Sequence, residues 1–593
     1  MQYEAIVHRS SEEFIYPVSQ SSLKIRLLAK RQDLVSCEIC YWNRYTDLLK
    51  TQPLQVVYRD AYHDDFRTRL DFDGVARFMR YYFKLVDTNG QVCFFNEYGF
   101  TGEPQKNGFF EHHYTNENEV IRTPDWAKGI IYYQIFPDRF ARGIDQKSRH
   151  PYVDWNSRPA LDNYFGGDLP GIIQKLDYLG DLGIECIYLN PIFHADCNHK
   201  YATIDYFSVD PDFGTNDDLI RLVKKAHDLG IRVILDGVFN HCGHNFPPFV
   251  DFRKNGKTSP YADWFLPTDF HADGTLSRYE GFGDLSLMPK LRTGTPAVRE
   301  MILKVMMYWV ETAGIDGWRM DVADEVETQS WQVICAAFKH LYPDKLLLAE
   351  TWTDANRLIS YGDRFDCAMN YAFRDALSDF FAKCRIDSFG FDHRINHLLS
   401  KYNEEVTPLM YNLIDSHDTP RFLTESGEDK RRLKLAVVFQ MTCLGSPAIY
   451  YGDEIGMEGN DDPDCRGGMK WDPKDQDHDL LSFYKTLISL RKREKALKSG
   501  SYVSILCEPN GIYGFQRKHE NETVYVIINN SDKEIAVELP VNIPFHPFRD
   551  LINHELFESI PLSEDDKIWN NDIAVQNGKI RMKLPAMGFR ILK

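Results

Sequence analysis

Two rhythms of apolar and polar positions divide the chain. Over residues 1–123 apolar residues recur at every second position, as in Leu23-Lys24-Ile25-Arg26-Leu27. This is the period of a half-buried strand. Residues 80–86 and 92–98 flank Asp87-Thr88-Asn89-Gly90, a hairpin signal. No stretch of useful length has helical period, so an all-β domain is expected, ending at Thr123-Pro124-Asp125. From Trp126 short apolar runs alternate with amphipathic helical stretches. The runs are 130–136, 183–189, 231–236, 315–321, 346–350, 365–370, 409–415 and 448–451. Helices are expected over 169–182, 217–229, 298–312 and 329–341. Eight strand–helix alternations predict a parallel (β/α)₈ barrel over 124–502 rather than an open sheet. The span exceeds the ~250 residues typical of that fold. The largest excess, about 242–297, follows the third strand and is rich in Pro, Gly, Asp and aromatic residues, which predicts a small inserted subdomain. Alternation of period two returns over 503–593, with turn signals at Asn529-Asn530-Ser531-Asp532 and Gln576-Asn577-Gly578-Lys579. A second β-sandwich is expected there.

Composition narrows the class. The 593 residues carry a formal net charge of −18, the reverse of the basic excess a nucleic-acid binder needs. Lys430-Arg431-Arg432 reads as a solvated helix face. No run of 18 apolar residues exists, and residues 1–5 open without a basic segment followed by an apolar one. Neither a membrane partner nor a signal peptide is therefore expected. The 12 cysteines lack framework spacing, and Cys37-Glu38-Ile39-Cys40 has no second pair to complete a zinc site. Unpaired thiols in a reducing cytoplasm are the expectation. Aromatic residues at 13% suit strand-rich domains and sugar-stacking clefts alike.

The chemistry gathers where apolar strands end. Asp236 ends the third strand and leads to Asn240-His241; Arg319 and Asp321 end the fourth; Glu350 ends the fifth; His417-Asp418 follows the seventh. In a parallel barrel those ends form the catalytic face. A single Asp at a strand end is ordinarily a cap or turn former, but several on one rim point to a site. Asp321, Glu350 and Asp418 could converge on one cleft. Two carboxyls about 5–5.5 Å apart let one attack an anomeric carbon while the other protonates the leaving oxygen. Arg319, two residues before Asp321, shares its strand face and is expected to lower the Asp321 pKa. Burial among aromatics such as Trp352, with repulsion from neighbouring carboxylates, is expected to raise that of Glu350. Asp236 is expected to support, orienting Arg319 or the sugar.

At these residues the sequence resembles glycoside hydrolase family 13, the α-amylase family. Asp236-Gly237-Val238-Phe239-Asn240-His241, Gly317-Trp318-Arg319-Met320-Asp321, Glu350 and His417-Asp418 match its four signature regions in order. Met288-Pro289-Lys290-Leu291 is similar to the fifth region of the neopullulanase, cyclomaltodextrinase and maltogenic amylase group. So are Tyr133-Gln134-Ile135-Phe136-Pro137-Asp138-Arg139-Phe140, Phe165-Gly166-Gly167-Asp168-Leu169 and Asn198-His199-Lys200-Tyr201.

The resemblance implies a retaining α-glycosidase acting on α-1,4-linked glucose oligomers. Asp321 would be nucleophile, Glu350 acid/base and Asp418 the transition-state stabiliser. Arg319 would keep the nucleophile ionised, His241 and His417 would bind the −1 sugar, and Tyr201 would stack beneath it. Trp352 would border the +1 site, although the usual Glu-Ile-Trp is Glu350-Thr351-Trp352 here. Asp462 and Arg466 would serve donor-side subsites. Tyr201 and Trp352 have packing as their alternative. The N-terminal domain resembles a starch-binding-like domain that also builds a homodimer and narrows the cleft. Many relatives bind calcium after the first strand, where Ala141-Arg142-Gly143-Ile144-Asp145 stands here. A cation at Arg142 would repel calcium, which takes six to eight oxygens. Asp145 and Asp168 remain as candidate ligands, and neither a strong site nor a required cofactor is expected. Arg292 replaces the usual Asn after the fifth region and Ala202 the frequent acid after Tyr201, which alters the acceptor side. A glucanotransferase or isomerase on the same residues, and a non-catalytic glucan-binding protein, are the rival readings. A bacterial cytoplasmic enzyme for imported maltodextrins is the expected setting.

Overall fold

The computed structural model describes residues 1–46, 48–143, 149–359, 362–540, 548–552, 556–557, 573–576 and 579–593. Among them the N-terminal region forms two packed antiparallel sheets. One has the order Ile15–Ser19, Ser22–Lys30, His63–Asp71, Gln55–Arg59. The other runs Lys50–Pro53, Leu34–Asn43, Arg77–Asp87, Val92–Asn96, Gly99–Thr101, with Phe110–Tyr114 added beside Arg77–Asp87. Alternation places Leu23, Ile25, Leu27, Ile39, Tyr81 and Phe83 in the core between them. The expected hairpin forms: Gly90 takes φ 79°, and Asp87 Oδ1 accepts from the Asn89 and Gln91 amides. Cys37 and Cys40 are buried free thiols in one of these strands.

Eight parallel strands follow: β1 (Tyr132–Ile135), β2 (Cys186–Leu189), β3 (Arg232–Gly237), β4 (Gly317–Met320), β5 (Leu346–Ala349), β6 (Cys367–Ala368), β7 (Tyr411–Leu413) and β8 (Ser446–Tyr450). Each pairs with its sequence neighbour from β1 to β6, β7 pairs with β8, and β8 returns to β1. A parallel bridge from Met369 to Tyr411 joins the end of β6 to β7 and completes the ring. Except for β3 and β8, the strands are shorter than the apolar runs. Ile130, Ile131, Ile184 and Ile315 are buried lead-in residues outside the ladder. β8 begins two residues before the expected 448.

The expected helix over 169–182 is two helices, Leu169–Gln174 and Leu176–Leu182, meeting at Lys175. The other three stand as Asn216–Asp228, Pro296–Ala313 and Thr328–Leu341. The insertion after β3 contains the helix Pro247–Asn255 and the hairpin Pro267–Phe270/Leu276–Tyr279, packed through Phe249, Phe252 and Phe265. A second excursion, not foreseen, is the hairpin Phe193–Ala195/Thr203–Val209 after β2, whose tip carries His199 and Tyr201.

The C-terminal region has a four-stranded sheet, Ser501–Glu508, Ile512–His519, Glu522–Asn529, Gly588–Leu592, and a three-stranded one. The turn expected at Asn577-Gly578 lies outside the described residues; Ile573–Gln576 and Lys579–Leu584 pair antiparallel on either side. One buried arginine, Arg517, joins this region to the barrel, and a second, Arg491, braces the barrel beside it. Arg517 donates to the Thr442, Gly500 and Ser501 carbonyls, and Arg491 to those of Met441, Cys443, Gly445 and Gly129. Both satisfy carbonyls around the end of the helix Lys430–Thr442. The N-terminal sheets dock through Arg67, which donates to Ser400 O at 2.7 Å, and the Lys24–Glu404 ion pair at 2.7 Å. Among the described residues no helix is long and apolar enough to cross a membrane.

Asp316 locks the entry to β4 against β3. Its buried carboxylate accepts from the Val233 amide at 2.9 Å, contacts His227 Nε2 at 2.7 Å and pairs with Arg232 at 2.8 Å. Burial opposes ionisation, but His227, the Val233 amide and Arg232 outweigh it and hold this carboxyl below its usual range. A depressed folded pKa stabilises above the ordinary Asp value, near 3.9. The contribution disappears as pH falls through the lower folded value. Asp316→Asn should therefore cost about 1–3 kcal/mol in urea unfolding at pH 7. The gap from wild type should shrink below about pH 4; a gap that persists unchanged into acid would contradict the assignment.

Candidate active site

The site grows from Arg319 on β4. In the ladder Arg319 lies beside Asp236 on β3 and Leu348 on β5. Its guanidinium is fully buried. Nη1 lies 2.8 Å from Asp236 Oδ1 and 3.0 Å from Asp321 Oδ1, and Nη2 lies 2.6 Å from Glu350 Oε2. Asp321 and Glu350 each stand one residue beyond their strands, so neither belongs to the ladder. Asp321 N donates to Gly237 O and Glu350 N to Met320 O. Val322 takes φ 45°, unusual for a β-branched residue. In that conformation its amide donates to Glu350 Oε2 at 2.9 Å.

Asp418 approaches from the loop after β7. Arg466 holds it at 3.1 Å, holds Asp462 at 2.9 Å and donates from Nε to His417 O. Arg466 thus positions Asp418, a role additional to the expected donor-side one. Asp321, Glu350 and Asp418, with Tyr201, His241, Trp352, Asp462 and Arg466, line one cleft of about 790 Å³. Asp236, Arg319 and His417 lie buried behind its wall. Trp352 is half exposed and stacks on Tyr371 at 4.0 Å. Phe282 of the inserted subdomain stacks on His241 at 4.8 Å and also lines the cleft.

The electrostatics differ from the simple pairing expected. Arg319 is divided among three carboxylates rather than dedicated to Asp321. Burial lifts the Asp321 carboxyl well above its usual range; Arg319 opposes this, while Glu350, Asp236 and Asp418 add to it. Burial likewise raises Asp236. Burial and then the Glu350 charge push Asp418 up to about 7, against Arg466 and Arg319. These groups titrate together, so ionisation of one opposes ionisation of its neighbours. Burial, then Lys290 and His199, lower His241 to about 3, and burial keeps His417 neutral far below its usual value.

Two buried atoms face each other with no hydrogen-bond partner among the described residues: His241 Nε2 and Asp321 Oδ2, 4.0 Å apart. A hydroxyl, which donates and accepts, suits both. Asp236 by contrast is saturated by Arg319, Tyr188 OH at 2.6 Å and Tyr201 OH at 3.1 Å. Tyr188, Asn190 and Gln134 escaped sequence reasoning as site residues. Gln134 sits inside a quoted motif, but nothing in the sequence separates it from a core strand residue.

After β1 the described residues run to Gly143, and a cation, Arg142, stands among them. Arg142 donates to Phe165 O at 2.6 Å and Val153 O at 2.8 Å, occupying carbonyl oxygens a metal would need. Asp168 caps the helix Leu169–Gln174, its Oδ1 accepting from the Gly143 and Gly171 amides. Asp145 lies outside the described residues. Among the described residues no group of three or more His, Cys, Asp or Glu could hold a metal ion.

Comparison with known proteins agrees over the whole chain. Residues 134–476 match the α-amylase catalytic domain, 1–116 the α-amylase N-terminal Ig-like domain and 502–593 the α-amylase C-terminal all-β domain. The chain is 40% identical to a cyclomaltodextrinase from Thermoanaerobacter pseudethanolicus, covering 90% of this chain and 94% of the relative. It is 41% identical to neopullulanase 2 from Thermoactinomyces vulgaris, covering 91% and 93%. A solved cyclomaltodextrinase structure superposes with TM-score 0.91 at 35% identity, covering 100% of both chains. With its barrel, flanking β domains and carboxylate cluster on one rim, the chain belongs to the α-amylase family, glycoside hydrolase family 13.

Proposed function

We propose that this protein hydrolyses α-1,4-glucosidic bonds of maltooligosaccharides and cyclodextrins, and of pullulan, with retention of configuration. The observation that carries the reading is the sharing of Arg319 by Asp321 and Glu350, with Asp321 Oδ2 buried and unpartnered beside His241 at the wall of the cleft. Asp321 attacks the anomeric carbon as Glu350 protonates the departing glycosidic oxygen, which leaves as a sugar hydroxyl. Glu350, now ionised, takes a proton from water, and the resulting hydroxide attacks the glycosyl ester and releases Asp321. Glu350 Oε2 is engaged by Arg319 and the Val322 amide, which leaves Oε1 to meet the glycosidic oxygen. Asp418, fixed by Arg466, and His241 and His417 bind hydroxyls of the −1 sugar, with Tyr201 beneath it. Trp352, held flat by Tyr371, offers a face to the +1 sugar. Asp462 serves the donor side, and Asp236 orients Arg319.

The identities to a cyclomaltodextrinase and a neopullulanase support small glucans as substrates. Loops of the N-terminal domain expose Tyr45, Leu48, Leu49 and Tyr98 at 53–79%, apolar surface that supports a homodimer. Twelve free thiols support a reducing, cytoplasmic setting. The negative net charge supports neutral glucans rather than nucleic acid as partners.

The product profile over time from β-cyclodextrin, maltoheptaose, pullulan and soluble starch tests the reading. Maltose and glucose should form quickly from the first two and slowly from starch. Dominant products longer than the substrate would replace hydrolysis by transfer. Asp321→Asn should lower turnover by more than about 10⁴-fold, consistent with losing the covalent route, and still bind maltotriose; equal inertness of wild type and variant would favour a binding protein.

The shared charge of the cluster gives a signed pH prediction. Asp418→Asn removes a negative charge that helps to raise the Asp321 carboxyl. Asp321 then ionises more readily. On p-nitrophenyl α-maltoside the acid limb of the residual kcat/KM should move to lower pH; an upward move would refute the shared-charge account. For the assembly, multi-angle light scattering at micromolar concentration should give twice the chain mass, and a monomer mass would exclude the dimer.

A further inference from the structure

His417 is buried in the wall of the cleft, and either ring nitrogen could carry its proton. Which one does decides what the ring presents to Asp418 and to a sugar hydroxyl. The surrounding hydrogen bonds form a closed ring whose direction can be followed from Asp236. Both Asp236 oxygens accept from Arg319. Tyr188 OH and Tyr201 OH therefore donate to Asp236 Oδ2, at 2.6 and 3.1 Å. Each phenol has then spent its only proton and can only accept. Asn190 Nδ2 accordingly donates to Tyr201 OH at 3.0 Å and reaches Tyr188 OH at 3.4 Å. That turns Asn190 Oδ1 towards Gln134, which donates to it from Nε2 at 3.0 Å. With its amide so oriented, Gln134 presents its second Nε2 hydrogen to His417 Nδ1 at 2.8 Å. The opposite amide orientation would set Gln134 Oε1 against Asn190 Oδ1, two acceptors in contact.

We infer that Gln134 is a positioning residue that fixes His417 as the Nε2–H tautomer, its own orientation being imposed by Asp236 through Tyr201 and Asn190. His417 Nδ1 accepts, so Nε2 carries the proton. Nε2 lies 2.6 Å from Tyr201 OH and 3.2 Å from Asp418 Oδ2. The Tyr201 hydroxyl is then fully used: it donates to Asp236 and accepts from Asn190 and His417. The single Nε2 hydrogen is therefore directed at the Tyr201 oxygen, with Asp418 Oδ2 within reach of the same hydrogen and no lone pair facing either. The other tautomer would place a lone pair at Nε2 against the Tyr201 oxygen and the Asp418 carboxylate, a repulsive arrangement. Burial suppresses the doubly protonated ring, so the choice between neutral tautomers persists across the working pH range.

The functional consequence rests on the α-glycosidase reading, but the tautomer does not, and the test separates them. In full-length protein labelled with [¹⁵N]histidine, long-range ¹H–¹⁵N spectra distinguish a protonated from an unprotonated ring nitrogen; the His417 signals are assigned by their loss in His417→Gln. Wild type should show Nδ1 unprotonated and Nε2 protonated without substrate. Gln134→Glu replaces the donor with an acceptor and should move the proton to Nδ1 or give an imidazolium. Gln134→Met removes the donor at similar volume and should give mixed tautomers. Both should lower kcat/KM on maltoheptaose on the order of 10- to 100-fold, as when the support of a working histidine is lost, with far-UV circular dichroism unchanged. An Nδ1–H ring in wild type, or a wild-type tautomer in both variants, would overturn the inference. If the variants do not fold, the wild-type spectrum alone decides it. If the wild type shows the Nε2–H ring but hydrolyses no glucan, the α-glycosidase reading fails and the tautomer assignment stands.

Discussion

A single guanidinium, buried at the mouth of β4, makes the carboxylate cluster possible. Three carboxylates lie within 2.6–3.0 Å of Arg319, contributed by β3, by its own chain two residues on, and by the end of β5. Removing such charges from water without a partner would cost several kcal/mol each. The register that places Arg319 beside Asp236 is thus also the register that allows the site to be buried. One cation cannot neutralise all of them, and Asp418 adds a further negative charge held by Arg466. The upward pKa shifts of Asp321 and Asp418 follow from this imbalance together with burial.

Around that centre the loops act on separate quantities. The hairpin tip after β2 brings Tyr201 over Asp236, and buried Lys200, at φ 62°, anchors it through Asp210 and Asp212. The insertion after β3 brings Phe282 against His241, so one wall of the cleft is apolar. The loop after β8 supplies Arg466 and Asp462. The barrel therefore sets the geometry of the carboxylates, while the excursions build the walls of the cleft around them. Fold alone would not separate these contributions.

The flanking domains bear on the site only through their docking. Arg67 places its guanidinium on the Ser400 carbonyl, and Arg517 fans across those of Thr442, Gly500 and Ser501. Such fan-like donation satisfies several buried acceptors with one side chain. It joins the N-terminal sheets and the C-terminal sheet to the helices that brace β7 and β8, the strands nearest Asp418.

Periodicity sufficed for much of this protein. Period-two alternation marked the outer β regions, and eight apolar runs between helical stretches marked the barrel, because burial on one face or two imposes those patterns locally. Polar residues at the ends of apolar strands pointed to Asp321, Glu350, Asp236 and His417 for the same reason: a charge there needs a partner. What the pattern could not carry is what arises between segments distant in sequence. The division of Arg319 among three carboxylates, the grip of Arg466 on Asp418 and the strained Val322 amide turned to Glu350 depend on the ring being closed. Gln134 reads as an ordinary strand residue; its role exists only because β1, β2 and the loop after β7 bring Asn190 and His417 to either side of it. Hydrophobic period is fixed residue by residue along the chain, whereas the direction of a hydrogen bond and the sharing of a charge belong to the assembled set.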